Sequence, residues 1–393
     1  MTLDAKPSRA LPIATAAGTA LLVAVLAACS SGSGGGAPKV PSAAKVANVT
    51  ISASKGCEVD RATFIAGGIT FKITNTDATA VSEVELLSGE RIVGEKESVA
   101  AGLSGEFAVR VDAGTYTLYC PGARTERQQL TVTGKAALED QNVAGLLKTA
   151  TGEYKSYVNT QVGYLVTFTS ALNTALKGAD LAAAQRAYLL ARPYYEKIEP
   201  VAESFVDGKD NLDADIDARI NDVPASQFEG FHRIEQGLFH AKSLAGLQGF
   251  GDKLVTDVKT LQSKTAELTY QAPDLANGAQ ELLDEVASSK ISGEEERYSH
   301  IDILDMANNV EGSEQAFADL EPALRQIDAS LASTISRAFA ALGTLLNRYR
   351  ATTNASGYVF YGALNDNDRH LLAAAVKAVQ EPLSQVASKV VNA

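Results

Sequence analysis

Histidine is scarce in this chain of 393 residues, which has one at each of positions 232, 240, 300 and 370 and none before them. A blue-copper site requires two histidines beside its cysteine, so the absence argues against such a site in the N-terminal part. The helical zinc-peptidase motif H-E-x-x-H requires two histidines one turn apart, whereas His232 and His240 are eight positions apart. The scarcity therefore disfavours two familiar classes of metalloprotein.

Cysteine is also rare, and the first of the three cysteines closes an N-terminal export signal. Lys6 and Arg9 precede a short apolar run that ends in Leu-Ala-Ala-Cys29, an ending that resembles a bacterial lipobox. A transmembrane anchor is the alternative, but the run is shorter than the roughly 20 residues that such a helix needs, and no second hydrophobic span follows. We expect residues 1–28 to be a signal peptide, Cys29 to be lipidated, and residues 29–45 to form a flexible tether to the cell membrane.

Basic residues are in deficit, since 35 Lys and Arg stand against 47 Asp and Glu and give a formal net charge of -12. Removal of residues 1–28 takes away Asp4, Lys6 and Arg9, which changes the charge to -13. Such a protein does not bind nucleic acid or an anionic membrane surface by charge. Cations are the more natural ligands.

The two remaining cysteines, Cys57 and Cys120, both lie in the N-terminal part. In an oxidising compartment, two such cysteines most often pair as a disulfide. Two thiolates on one metal ion are the competing interpretation, and both stay open.

The chain divides into two parts by the period of its apolar residues. From 46 to 134, short runs rich in Val, Thr, Ile and Phe alternate with polar residues and are separated by turn residues, which predicts a small antiparallel β-sandwich. From 135 to 393, Ala- and Leu-rich segments with a period near 3.6 predict an all-α bundle. The predicted strands are 49–53, 69–74, 81–87, 105–111, 116–119 and 129–132. The predicted helices are 138–177, 180–207, 211–221, 226–243, 249–287, 296–319, 323–349, 355–363 and 366–391.

His232 and Glu235 are three residues apart within the second part. On a helix this spacing places both side chains on one face, so both can close on one ion. An imidazole and a carboxylate provide half of a coordination shell for a hard or borderline divalent metal, or for ferric iron. The alternative is a surface histidine with a helix-stabilising acidic neighbour.

Acidic residues upstream are candidates for the rest of the shell. Glu196 and Glu199 lie on one helical stripe, and Pro200 lacks the N–H that would bond to the carbonyl of Glu196. We expect a kink that turns the Glu196 side chain and its free carbonyl inward. A solvated acidic face is the alternative. Asp213 and Asp217 follow in a short acidic segment that can place a carboxylate across from the His/Glu pair.

A further polar segment, 298–314, contains His300 and Asp302 on a predicted helix. It forms either a second polar lining of the site or a set of buried hydrogen bonds between helices.

Four motifs in this order resemble the imelysin-like peptidase family: Tyr-Glu-x-Ile-Glu-Pro at 195–200, Leu-Asp-x-x-Ile-Asp-Ala-Arg at 212–219, Gly-Phe-His-Arg-Ile-Glu at 230–235 and Tyr-Ser-His-x-Asp at 298–302. The resemblance implies a pair of four-helix bundles that carry an H-x-x-E metal site. The ligands that it implies are His232, Glu235, Glu196 and Asp213, with Glu199 and Asp217 as substitutes.

The N-terminal part is similar to the cupredoxin-like domain of the iron-uptake members of this family. The resemblance implies either a second site, built from Cys57, Glu83, Glu85 and Cys120 and able to hold a metal such as copper, or a plain disulfide without metal.

The function implied by the resemblance is that of an extracytoplasmic iron-binding lipoprotein rather than an enzyme. It would bind ferrous or ferric iron and deliver it to an iron permease, with a haem-dependent peroxidase as a further partner; a metal in the first domain would assist oxidation of ferrous iron. The family label makes a zinc metallopeptidase one alternative. A link of related helical domains to alginate makes a polysaccharide-binding protein another, although the acidic charge disfavours an anionic sugar unless a metal bridges it.

Overall fold

The computed structural model describes residues 45–89, 91–136, 141–207, 210–220, 222–391 and 393. The expected signal peptide, the Cys29 lipidation site and all but the last residue of the tether lie outside the described residues.

The N-terminal part is a β-sandwich of two mixed sheets, with strand orders β2-β1-β4-β7 and β3-β9-β8-β5-β6. Its strands are β1 (Val46–Ser52), β2 (Gly56–Val59), β3 (Thr63–Ile65), β4 (Gly67–Asn75), β5 (Val84–Ser88), β6 (Arg91–Lys96), β7 (Ser104–Val111), β8 (Gly114–Tyr119) and β9 (Arg127–Thr133). The predicted all-antiparallel pairing is wrong in two places, because β1 pairs with β4 and β3 pairs with β9 in parallel. Alternating polarity identifies a strand's buried face but carries no information about its direction.

Cys57 and Cys120 form a disulfide in the core of the sandwich. Both sulfurs are therefore bonded to each other, and neither offers the thiolate that a copper or other soft metal site requires. Of the two interpretations of these cysteines, the structure contains the disulfide, and the expectation that they bind a second metal is wrong.

One carboxylate of that expected site, Glu85, also lies on the face of its sheet that is turned away from the disulfide, whereas Glu83 precedes the strand. In β5, Val84 and Leu86 point into the sandwich core with the disulfide, so Glu85 between them points away from it. Burial, and then the neighbouring Glu83, raise the pKa of Glu85 to about 7. Glu85 therefore does not face the two cysteines.

The second part is helical, and its helices pack in two groups of four that share α8: α1, α2, α6 and α8, then α7, α8, α9 and α10. The helices are α1 (Gln141–Leu176), α2 (Leu181–Glu196), α3 (Glu199–Glu203), α4 (Leu212–Asp217), α5 (Gly230–Glu235), α6 (Gln248–Glu267), α7 (Ala272–Ser288), α8 (Asp302–Ile327), α9 (Ala329–Leu346), α10 (Asp366–Leu383) and α11 (Val386–Val390). A β-sandwich followed by a helical region confirms the predicted fold class at this level.

Two helix predictions fail for local reasons. The single helix expected over 249–287 is two helices, because α7 restarts at Ala272 with Pro273 in its first turn and a capping box between Gln271 and Asp274. The segment 355–363 contains only one short 3-10 turn, Tyr361–Ala363, among its residues.

Ala329–Tyr349 is long and apolar enough to cross a membrane by length and composition, with a mean hydropathy of 1.3, contrary to the expectation that no further hydrophobic span follows the signal. Leu331, Ile335, Phe339 and Leu342 lie on one face of α9 and pack into the helical core. The spacing is that of a packing helix in a bundle.

The two parts contact each other through α7, which packs against β6 and β7. The Asn277 side chain donates a hydrogen bond to the carbonyl of Ala108 at 2.9 Å, and Lys96 forms an ion pair with Asp284.

Candidate metal centre

His232 lies on the short helix α5, buried among the other helices. Directly after Glu235 the helix widens into a π-helical turn, Gln236–His240. Single π turns of this kind occur often at functional sites, because the extra residue redirects side chains on the adjoining turn.

Glu235 faces the Nδ1 atom of His232, with Oε2 3.4 Å away. Its other oxygen accepts hydrogen bonds from the backbone N–H groups of Tyr298 and Ser299 at 2.7 and 2.6 Å. Glu235 is thus fixed from two sides and holds the imidazole ring in place, a common role for a carboxylate beside a metal-binding histidine. The two residues meet at Nδ1, whereas the remaining carboxylates face the other ring nitrogen, so the expectation that His232 and Glu235 close on one ion stays a prediction.

The Nε2 atom of His232 faces two other carboxylates. Asp217 Oδ1 and Glu295 Oε1 each lie 3.5 Å from it. Ligand atoms of the three residues lie within 4.8 Å of one another, and all three side chains are buried. This Asp217–His232–Glu295 cluster is the candidate centre.

The electrostatics keep both carboxylates of the cluster ionised. Burial raises the pKa of Glu295, but Lys290 and Arg219 outweigh it and hold the pKa well below the usual range. Burial likewise raises the pKa of Asp217, but Arg192 and His232 outweigh it and lower the pKa. Two anionic oxygens therefore point at one imidazole nitrogen.

The surroundings of the imidazole favour its protonated form. Burial lowers the pKa of His232, but Asp217 and hydrogen bonds to Asp217 and Glu235 outweigh burial and the repulsion of Arg192, so the pKa lies well above its ordinary value. A metal ion at Nε2 must therefore displace a proton.

Glu196 lies next to the cluster and shares the cation Arg192 with it. It is fully buried and pairs with Arg192 at 2.6 Å and with Lys290 at 3.4 Å. Helix α2 ends at Glu196, and the Asn309 side chain donates a hydrogen bond to its carbonyl at 2.8 Å. The kink and the inward carbonyl expected from Pro200 are confirmed.

The other upstream acids are placed differently from expectation. Asp213 accepts a hydrogen bond from the Tyr195 hydroxyl, and no contact with His232 is found among the described side chains. Asp217, one turn further along α4, takes the place across from the histidine that was expected of Asp213. Glu199 pairs with Lys290 at 3.2 Å and accepts from Asn309 at 3.1 Å, away from the imidazole.

The segment that contains His300 contributes two buried aspartates to the contacts between helices, whereas His300 itself lies outside these contacts. His300 is exposed and adopts a left-handed backbone with φ of 58°. Asp302 accepts from the backbone N–H of Glu296 at 3.1 Å, and Asp305 pairs with Arg192 at 3.1 Å. Buried polar contacts between helices thus account for these two aspartates.

Glu295 is a candidate ligand that sequence reasoning missed. It is the middle of three consecutive glutamates, 294–296, just before the Tyr-Ser-His-x-Asp motif. The side chain of Glu294 is 64% exposed, whereas that of Glu295 is 0% exposed. The nearby motif was the available signal, but a run of glutamates resembles a solvated acidic surface.

A cavity of about 190 Å³ connects the cluster with the protein surface, and its walls include His232, Glu235, Glu295, Arg219 and Tyr298. One imidazole with two carboxylates forms an oxygen-rich donor set that suits iron or manganese better than copper(I). The arrangement can hold a small metal ion and gives it a path to solvent.

Gly230 sets the distance between the helices that carry Asp217 and His232. Its φ is 69°, and a Cβ atom there would overlap the carbonyl oxygen of Ile216. We expect Gly230→Ala to lower the free energy of unfolding by at least about 2 kcal/mol and to weaken metal binding, because the clash separates α4 from α5. Urea denaturation followed by circular dichroism measures the first effect.

Gly249→Ala is the matched control, because a Cβ atom at Gly249 meets no atom within 4 Å and its helix favours alanine. Equal stability of the two variants would contradict the assignment of Gly230 as a required close contact.

Residues 150–386 match the family model named Imelysin. The chain is 36% identical to "Iron uptake system component EfeO" of Escherichia coli O6:K15:H31 over 93% of its own length and 96% of the relative's. It is also 36% identical to the proteins of that name from Escherichia coli K12 and Shigella flexneri, over 88% of this chain and 92% of each relative. A solved Parabacteroides distasonis structure, provisionally described as an iron-regulated protein A precursor, is 15% identical with a TM-score of 0.47, over 65% of this chain and 96% of that one. The chain therefore belongs to the imelysin family and, by its identity along nearly the whole length, to the EfeO-related proteins.

Proposed function

We propose that the protein binds iron as cargo at the Asp217–His232–Glu295 cluster, outside the cytoplasm, and passes it to a membrane permease. The observation that carries the proposal is the buried cluster itself, in which two ionised carboxylates face one imidazole nitrogen. The relatives named as iron uptake components support iron as the ion. The lipobox-like Cys29 supports a tethered position at the membrane, where a permease and a haem-dependent peroxidase of the same uptake system would be its partners.

Burial of the cluster argues against the peptidase alternative. Asp217, His232 and Glu295 are all buried, so an extended peptide has no room to reach an ion held between them. An ion that enters through the cavity does not need such room.

The proposal is tested by anaerobic titration of the purified full-length protein with Fe²⁺, and with Mn²⁺ as an ion that does not oxidise under the same conditions. The expected result is one ion per chain, removable by a chelator. A protein that binds neither ion, or that cleaves a casein substrate in a metal-dependent manner, would contradict it.

The affinity for the ion is expected to fall as the pH falls, and this fall is expected to begin at a higher pH than at an ordinary histidine site. Because the pKa of His232 lies well above its ordinary value of about 6.5, the proton still competes with the ion above pH 7. We expect the dissociation constant to keep rising with acidification at pH values above 7, where an ordinary histidine site would already have levelled off. Mn²⁺ titrations at three pH values measure this slope, and a flat profile above pH 7 would contradict it.

A further inference from the structure

Arg192 is a fully buried cation in direct contact with the candidate centre. Its guanidinium forms ion pairs with carboxylates from four different parts of the chain. These carboxylates are Glu196, Asp217, Glu295, Glu296 and Asp305. Burial of a guanidinium costs desolvation free energy, which the ion pairs with these carboxylates must offset. The planar group makes them only in a narrow range of orientations, so its position is closely specified.

The guanidinium uses the same oxygens that an ion at His232 would use. Nη1 pairs with Asp217 Oδ1, and Nη2 lies 3.0 Å from Glu295 Oε1. These are the two atoms that lie 3.5 Å from Nε2 of His232, and Nη2 itself is 3.4 Å from that nitrogen. A metal ion about 2.1 Å from Nε2 would be pressed against the guanidinium. The metal ion and the guanidinium therefore cannot bind these two oxygens at the same time.

Arg192 also lies beside a second set of acceptors, Glu196 and Asp305. Neither oxygen of Glu196 has a hydrogen-bond partner among the described residues, although one lies 2.6 Å from Nη2, and Asp305 Oδ1 has none either. The guanidinium Nε already contacts Asp305 and Glu296 at 3.1 and 3.0 Å. Nη2 already lies close to Glu196 as well as to Glu295. A small rotation would therefore let the guanidinium leave Asp217 and Glu295 while it keeps Glu196 and gains the second oxygen of Asp305.

We infer that Arg192 is a tethered competitor for the iron site. This inference rests on the proposed function: when the ion binds, the guanidinium moves from Asp217 and Glu295 toward Glu196 and Asp305, and when the ion leaves, it returns. Such an exchange limits the affinity, which favours release to a partner. The exchange also favours divalent over monovalent cations. A monovalent cation gains no more electrostatic energy from these carboxylates than the guanidinium that it displaces.

The variants Arg192→Gln and Arg192→Lys test the exchange in the full-length protein, with Arg186→Gln, on the exposed face of the same helix, as the matched control. Titration with Fe²⁺ and Mn²⁺ and stopped-flow release into a chelator give the dissociation constant and the release rate. We expect Arg192→Gln to bind roughly tenfold more tightly or better and to release more slowly, with Arg192→Lys between it and the wild type. Arg186→Gln is expected to match the wild type.

A merely structural role predicts the opposite sign, because loss of the central cation would disorder the carboxylates and weaken binding. Weaker or unchanged binding by both Arg192 variants, when the wild type binds, overturns the inference alone. Failure of the wild type to bind either ion overturns the proposed function and this inference with it.

Should Arg192→Gln not fold, a crystal structure of the wild type with Mn²⁺ provides the second measurement. A guanidinium displaced from Asp217 Oδ1 supports the exchange, and one that still bonds to it beside the ion overturns it.

Discussion

Replacement of His232 by alanine is expected to abolish stoichiometric iron binding, with a loss of affinity of about 100-fold or more. Loss of a residue that only supports a metal ligand already costs roughly 10–100-fold in affinity. His232 provides the single imidazole of the cluster, and both Asp217 and Glu295 are arranged around its Nε2 atom. Without the ring, the two carboxylates lose the group that places them at one point. Anaerobic titration with Fe²⁺ measures the effect.

His370→Ala is the control for this substitution, because His370 is exposed on α10 and the removal of a histidine is otherwise the same. The control should bind iron as the wild type does. Retention of one tightly bound ion per chain by His232→Ala would place the site elsewhere in the protein.

The sequence singles out His232, which the structure places in a buried acidic cluster, but it does not identify the carboxylates that face the second ring nitrogen. Helical spacing puts His232 and Glu235 on one face, and the structure keeps them 3.4 Å apart. An imidazole has two nitrogens on opposite sides, however, and spacing along one helix does not determine which of them faces the other carboxylates. That choice depends on α4 and on the segment around residue 295, which are distant in sequence.

Helical spacing also does not determine whether Asp213 or Asp217 faces His232. The two residues are one helical turn apart and share a face of α4, so the sequence alone favours neither. Packing of Tyr195 against the helix decides between them, because its hydroxyl donates to Asp213 and leaves Asp217 to face His232.

Predictions that rest on covalent chemistry or on local backbone rules hold best. Pro200 cannot donate to the carbonyl of Glu196, and this absence alone predicts the kink and the free carbonyl that Asn309 satisfies. The disulfide was one of two interpretations from cysteine count and compartment. Strand direction and the break before Pro273 depend on tertiary pairing and capping, which apolar periodicity does not record.

Glu295→Gln is expected to weaken iron binding by about 100-fold, since the cluster then loses one of its two ionised oxygen donors. Glutamine keeps the size of the side chain, so the fold is expected to persist and the loss to reflect charge and donor strength. The measurement is the same Fe²⁺ titration, with Mn²⁺ alongside it.

Glu294→Gln, one residue earlier, removes the same charge from an exposed side chain. A general effect of negative charge on cation attraction would lower the affinity of both variants alike, because the two carboxylates occupy neighbouring positions in the same acidic run. A direct bond affects only Glu295, whose buried oxygen faces His232. Equal affinities of the two variants would therefore remove Glu295 from the site and return the third ligand to Glu196, which lies across Arg192 in the same buried group.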